Sequence, residues 1–166
     1  AVATPAFFGS FKVLKNHDLS VRAFYKRMFR MPTFNDLYYT DMGNAFLKPE
    51  YAEQFNVGLK YTRNFEKSPF MRMLDVSVDA YYNKITDKII AYPKGQQFRW
   101  TMLNLGEVEI KGVDAVLNAL FTLGKLEVTT KFQYTYQKAI DITDPADTYY
   151  RDQIPYIPWH SGSAIL

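Results

Sequence analysis

The sequence predicts an all-β protein, an antiparallel up-and-down meander of about seven long strands. Three observations predict it. Apolar residues recur with period two almost throughout, and no helical period fits the same stretches. Strand-favouring aromatics are abundant: 13 Tyr, 13 Phe and 2 Trp make 17% of 166 residues. The connections alternate between short turns and long loops, so two different rims are expected.

The first two strands are read over 7–15 and 19–28, joined by the short turn Asn16-His17-Asp18. A long loop, 29–50, follows. The third strand spans 51–63: Tyr51, Phe55, Val57, Leu59 and Tyr61 share one face, with Glu53 the exception, and Ala52, Gln54, Asn56, Gly58, Lys60 and Thr62 share the other. Asn64 to Pro69 is a short turn. The fourth strand is read over 71–91, with Leu74, Val76, Val78, Ala80 and Tyr82 against Asp75, Ser77, Asp79, Tyr81 and Asn83. After the longer connection 92–101, the fifth spans 102–121. Its apolar phase switches at Gly112, from Val108 and Ile110 to Val113, Ala115, Leu117, Ala119 and Phe121. A β-bulge at Gly112 is expected to return both halves to one face; the plain alternative is two strands with a break. Thr122-Leu123-Gly124 is a short turn into the sixth strand, 125–140. A long loop, 141–153, leads to the seventh, 154–166.

A dozen residues at roughly 3.3 Å each make a strand of ~40 Å, long enough to cross a bilayer core at a tilt. Two architectures fit long alternating strands. A soluble β-sandwich buries its apolar faces together, whereas an outer-membrane barrel turns them to lipid. The apolar face is made of separated hydrophobes, and aromatics gather near strand ends at Tyr51, Tyr61, Tyr82, Tyr92, Phe121, Tyr134 and Tyr136. That distribution suits an interfacial girdle, though a soluble strand-rich protein uses the same residues.

Composition removes several chemistries. Cysteine is absent, which excludes a disulfide scaffold, a thiolate zinc site and a thiol nucleophile. The net charge of +3 gives no case for nucleic acid. No apolar run reaches the ~20 residues of a spanning helix. His17 and His160 are far apart, and no nucleophile–base set assembles around either. The reading is therefore not an enzyme, with no cofactor. Asp141, Asp144 and Asp147 are acidic neighbours that could hold calcium, but their spacing is ordinary turn chemistry and no metal is assigned. The chain opens on AVATP, without Met or a basic leader, and reads as part of something longer.

Four segments carry a resemblance. Phe29-Arg30-Met31-Pro32-Thr33-Phe34-Asn35-Asp36-Leu37-Tyr38-Tyr39 leads to Gly43-Asn44 and on to Leu47-Lys48-Pro49-Glu50. Asp79 to Ile89 reads DAYYNKITDKI. Asn104-Leu105-Gly106 precedes Gly112-Val113-Asp114. Gln153-Ile154-Pro155-Tyr156-Ile157-Pro158-Trp159-His160 closes the set. In this order the segments resemble the barrel of TonB-dependent outer-membrane receptors of siderophore or cobalamin type. Asp114 stands where that pattern usually has Glu. The local physics is structural: Pro32 and Pro49 hold their predecessors extended, and Gly43-Asn44 is a turn pair.

The resemblance implies a roughly 22-stranded transmembrane β-barrel plugged by an N-terminal domain. Residues 1–166 would then be a partial barrel domain, with the plug domain, the first strands and the last strands outside it. It implies an outer-membrane location, with lipid around the wall. It implies active transport of a scarce nutrient, a ferric siderophore or cobalamin, with energy supplied by TonB through the N-terminal region. The motif residues Pro32, Gly43, Asn44, Pro49, Glu50, Asn104, Gly106, Gly112, Asp114, Pro155 and Pro158 are expected to be structural. On the long-loop rim, Asn35, Tyr38, Tyr39, Gln96, Trp100, Tyr149 and Tyr150 are candidate ligand contacts, since exposed loop aromatics anchor binding. Loop packing is the competing role. A passive porin, an outer-membrane adhesin or a soluble β-sandwich binding module remain alternatives. An isolated partial barrel would have two open edges and is expected to self-associate.

Overall fold

A computed structural model describes residues 3–14, 18–94, 99–104, 106–146, 148, 150–154 and 157–166. Seven antiparallel strands form one sheet: β1 (Ala6–Leu14), β2 (Asp18–Arg30), β3 (Glu50–Asn64), β4 (Met71–Thr86), β7 (Glu107–Leu123), β8 (Leu126–Asp141) and β9 (His160–Ile165), in that spatial order. Between β4 and β7 a separate hairpin stands off, made of β5 (Ile89–Lys94) and β6 (Arg99–Asn104), which among the described residues pair only with each other. One short helix, α1 (Phe34–Tyr38), lies in the β2–β3 loop.

The meander is as expected, and its long strands reach 13 to 17 residues in β2, β3, β4, β7 and β8. Three expected strands are shorter than read. The fourth ends at Thr86, because Asp87 takes a left-handed φ of 54° and turns the chain out of the sheet. The fifth begins at Glu107, just after Gly106 at φ 49°. The apolar residues between these two breaks form the hairpin, so Tyr92 lies on β5 and not at the end of a strand of the main sheet. The last strand begins at His160, not 154.

No bulge occurs at Gly112. The register runs unbroken from Ile110↔Asn83 through Gly112↔Tyr81 to Val113↔Ala80, and equally on the β8 side. The phase switch has another cause. Val108 and Ile110 lie on the polar face, where they form a small buried cluster with Ala139. Tyr81, Ile85, Ile154 and Ile157 pack on it. The β8–β9 connection thus covers the polar face at the long-loop end, and apolar residues are favoured there. Gly112 is small because the Tyr81 ring lies over it, where a Cβ would strike the ring and the Tyr136 carbonyl.

The other face is apolar and open. Phe55, Val57, Leu59, Val78, Val113, Phe132 and Tyr134 are each between 38% and 55% exposed, and no second sheet packs on them among the described residues. This is not a sandwich, which buries such a face. Aromatic rings run across four strands in one register row: Phe7 and Tyr25 at 6.4 Å, Tyr25 and Phe55 at 4.7 Å, Phe55 and Tyr82 at 6.2 Å. At the short-turn end Phe70 meets Phe121 at 5.2 Å. His160 closes the β9 side, its Nδ1 2.8 Å from the Tyr134 hydroxyl.

The polar face is internally bonded. Asp75 accepts from the Thr62 hydroxyl at 2.7 Å and from Asn118 Nδ2 at 3.2 Å, and Lys60 Nζ lies 3.2 Å away. Asp114 accepts from the Thr135 hydroxyl at 2.7 Å. Polar groups that satisfy one another across strands suit a wet face that must still hold its shape.

Candidate functional site

The long connections gather at one rim of the sheet: the β2–β3 loop, the β5–β6 hairpin and the β8–β9 connection. The first is built around α1. Thr33 caps it, its hydroxyl accepting from the Asp36 N–H at 3.2 Å while Asp36 Oδ2 accepts from the Thr33 N–H at 2.9 Å. This reciprocal capping box satisfies two donors that a five-residue helix would otherwise leave open. The Thr33-x-x-Asp36 spacing was the available signal for a helix inside a stretch read as loop.

Asp36 is buried and also accepts from Arg30 Nη2 at 3.0 Å. The Thr33 backbone N–H, and then the Thr33 hydroxyl and the Arg30 charge, hold its carboxyl below the usual aspartate range against the opposing effect of burial. Arg30 Nη1 lies 3.6 Å from Glu50, and Glu50 Oε2 accepts from the Ile89 N–H of β5 at 3.1 Å. Arg30 therefore sits between two carboxylates, one holding the helix and one holding the hairpin.

The other motif residues are stitches of the same kind. Asn44 Nδ2 donates to the Met102 carbonyl at 3.0 Å, and its Oδ1 accepts from the Phe46 N–H at 3.0 Å. Gly43 leaves no room for a Cβ against the backbone of Leu37 and Tyr39. The side chain of Asn104 bonds the Lys48 backbone twice and the Asp87 carbonyl once. Gly106, in its left-handed conformation, lies against Thr143, whose hydroxyl accepts from the Glu107 N–H at 3.0 Å. Pro32 leads into the cap of α1, Pro49 leads into β3, and Pro158 precedes β9. Pro155 lies outside the described residues, as does His17.

Of the candidate ligand contacts, Asn35, Tyr38 and Tyr39 share one turn and are exposed, both tyrosines to 59%. Trp100 is 41% exposed on β6. Tyr150 stands half-buried on the β8–β9 connection. Gln96 and Tyr149 lie outside the described residues. The loop adds aromatics that the sequence reading did not single out: Phe34, whose ring is 5.0 Å from Tyr38, and Phe46, 92% exposed. Their signal was only their place within the 29–50 motif stretch. The acidic candidates are used locally. Asp141 accepts from the Thr143 N–H at 2.8 Å and Asp144 from the Ala146 N–H at 2.8 Å, while Asp147 lies outside the described residues. Among the described residues no three His, Asp or Glu groups converge for a metal.

The rim carries exposed rings on loops tied to the sheet, with no assembled acid–base or nucleophile set among the described residues. The comparisons with known proteins agree with that scaffold. The family model described as TonB dependent receptor-like, beta-barrel matches residues 2–166. The chain belongs to the TonB-dependent receptor-like β-barrel family. Among its relatives is the vitamin B12 transporter BtuB of Vibrio vulnificus, 34% identical over 99 residues, which cover 60% of this chain and 14% of that protein. The vitamin B12 transporter BtuB of Photobacterium profundum is 34% identical over 124 residues, covering 70% of this chain and 18% of that protein. The chain spans less than a fifth of the length of these relatives. In this TonB-dependent receptor-like barrel the motif residues Arg30, Asn44, Glu50 and Asn104 join the long connections to one another and to the strand ends.

Proposed function

We propose that this segment is wall and extracellular rim of an outer-membrane active transporter. It takes a scarce nutrient on its long loops and imports it with energy delivered through TonB, which would engage a part of the protein outside these residues. Cobalamin is the first choice of cargo, because both relatives described above are named vitamin B12 transporters. A ferric siderophore is the second. No bond of the cargo is made or broken. The apolar face meets lipid, the hydrogen-bonded polar face lines the barrel interior, and the short turns lie on the periplasmic side.

The observation that carries this reading is the rim itself: exposed rings at Phe34, Tyr38, Tyr39, Phe46 and Trp100 on loops tied to a rigid sheet. Rings of this kind give large contact area at small entropic cost. The test uses the complete receptor. Cyanocobalamin binding should weaken about tenfold in a Tyr38→Ala/Tyr39→Ala variant, as expected for losing ring contacts of this type. Uptake in cells should vanish without TonB. Uptake that persists without TonB and ignores the rim tyrosines would make the protein a passive pore. Binding of a ferric siderophore but not of cyanocobalamin would keep the transporter and change its cargo.

A further inference from the structure

Among the described residues the β5–β6 hairpin has no sheet partner except itself. Its place relative to the barrel must come from its two covalent connections and from bonds to neighbouring loops. Its connections leave the sheet at Asp87 and Gly106, where the Asp87 N–H donates to the Gly106 carbonyl at 2.6 Å. That closes the base of the hairpin. It does not set the direction in which the hairpin leans.

Hydrogen bonds to the β2–β3 loop set that direction. Asn104 Oδ1 accepts from the Lys48 N–H at 2.9 Å, and Asn104 Nδ2 donates to the Lys48 carbonyl at 3.1 Å. A side-chain amide here makes the paired donor–acceptor exchange that two backbones make in an antiparallel ladder. The same Nδ2 donates to the Asp87 carbonyl at 2.6 Å, fixing the amide plane. Further along, Asn44 Nδ2 donates to the Met102 carbonyl at 3.0 Å and the Met102 N–H donates to the Met42 carbonyl at 2.8 Å. Glu50 receives the Ile89 N–H. The bonds engage both hairpin strands and are spread from Met42 to Glu50, so together they resist rotation as well as separation. Asn44 is itself held to α1, its N–H donating to the Asp36 carbonyl at 2.9 Å.

We propose that Asn104 and Asn44 are positioning residues that fasten the hairpin and the β2–β3 loop into one body, so that Trp100 and the Tyr38–Tyr39 pair present a single pre-arranged recognition surface. The recognition role rests on the function proposed above; the fastening does not. A surface whose two halves are already joined spends no binding energy on ordering them. Loss of either asparagine lets the halves move apart although no ring has been removed.

The test is hydrogen–deuterium exchange on the complete receptor in detergent micelles, without ligand. In the unaltered protein, peptides from 40–50 and 87–104 should open together, with matching protection and a common dependence on denaturant. Asn44→Ala lies in one loop, yet it should speed exchange about tenfold in both segments, as expected for one or two lost hydrogen bonds. Asn104→Ala should do the same. Trp100→Ala, which removes a ring and no fastening, should leave 40–50 unchanged. Heat-modifiable migration on gels reports whether each barrel has folded. If both asparagine variants fail to fold, the matched opening of the unaltered protein still decides. Unequal opening of the two segments, or acceleration confined to the substituted loop, overturns the proposal. Cyanocobalamin binding by the unaltered receptor is scored separately: if it is absent, the cargo reading fails while the exchange result stands.

Discussion

Arg22 on β2 and Asp79 on β4 are joined over the top of Gly58 on the strand between them. Arg22 Nε donates to Asp79 Oδ1 at 3.0 Å and Nη2 to Oδ2 at 2.5 Å. The register puts Arg22 opposite Gly58 and Gly58 opposite Asp79. A Cβ at position 58 would strike both partners, so the glycine is the gap through which the two strands reach each other. Gly58→Val should break this bridge and destabilise the barrel by about 1–3 kcal/mol, the usual cost of overpacking. Asp79→Ala should cost only about 1 kcal/mol, because Arg22 is 43% exposed and solvent screens the pair. Urea midpoints of the refolded full barrel compare the two. Equal midpoints for Gly58→Val and the parent would refute the crowding.

Tyr81 over Gly112 is a second pairing of a large residue with a vacancy. Gly112→Ala should destabilise by about 1–3 kcal/mol through displacement of the ring. In a Tyr81→Ala background the same change should cost less, the contact with the Tyr136 carbonyl being what remains. The double-mutant cycle measures the coupling directly, and additive effects would show that the ring does not cover the glycine.

Asp36 makes the β2–β3 loop sensitive to acid. Its carboxyl is held below the ordinary aspartate value, first by the Thr33 N–H. The folded pKa is thus lower than the unfolded one, so the stabilisation is fully present above the unfolded value of about 3.9. It is lost as the pH falls through the folded value. Pepsin cleavage within 31–47 should therefore rise as the pH is lowered below about 4 in the parent. Asp36→Asn should be cleaved faster at the upper end of that range and show a flatter profile. A parent and variant that respond identically to pH would remove Asp36 from the explanation.

Residues 1–166 expressed alone should self-associate or require detergent. β1 is exposed along its whole length, β9 likewise, and among the described residues each leaves one side of its ladder unpaired. The open apolar face adds a second adhesive surface. Sedimentation at increasing concentration in plain buffer tests this. A monodisperse monomer at high concentration would contradict an open, lipid-facing sheet.

Most of the sheet was legible in the sequence because a strand that has water on one side and apolar surroundings on the other must alternate. β3 was bounded to within one residue at each end, since between Glu50 and Asn64 the alternation breaks only at Glu53. Gly112 was misread for a specific reason. Period two reports which side chains share a face, not what covers that face, and the polar face acquires an apolar cover where Ile154 and Ile157 fold onto Val108. The hairpin was absorbed into its neighbours because Ile89 and Ile90 continue the apolar pattern, while the break depends on positive φ at Asp87, which aspartate adopts more readily than most residues but which periodicity does not report.

At the rim the sequence supplied the residues and not their roles. Glu50 and Asn104 stood out only through the family resemblance, and Asn44 otherwise only as half of a turn pair. That Asn104 pairs with Lys48, 56 residues away, depends on the chain having already folded.

What the sequence determined by itself is the wall: strand-length alternation, the division into short-turn and long-loop rims, and the exclusion of thiol chemistry. These follow from local periodicity and composition, which need no knowledge of neighbours. The tertiary structure decided which glycine makes room for which side chain, where the polar face turns apolar, and how the hairpin is fastened to the loop beside it. Those features rest on contacts between segments far apart in the chain, and a one-dimensional pattern carries the partners without saying that they meet.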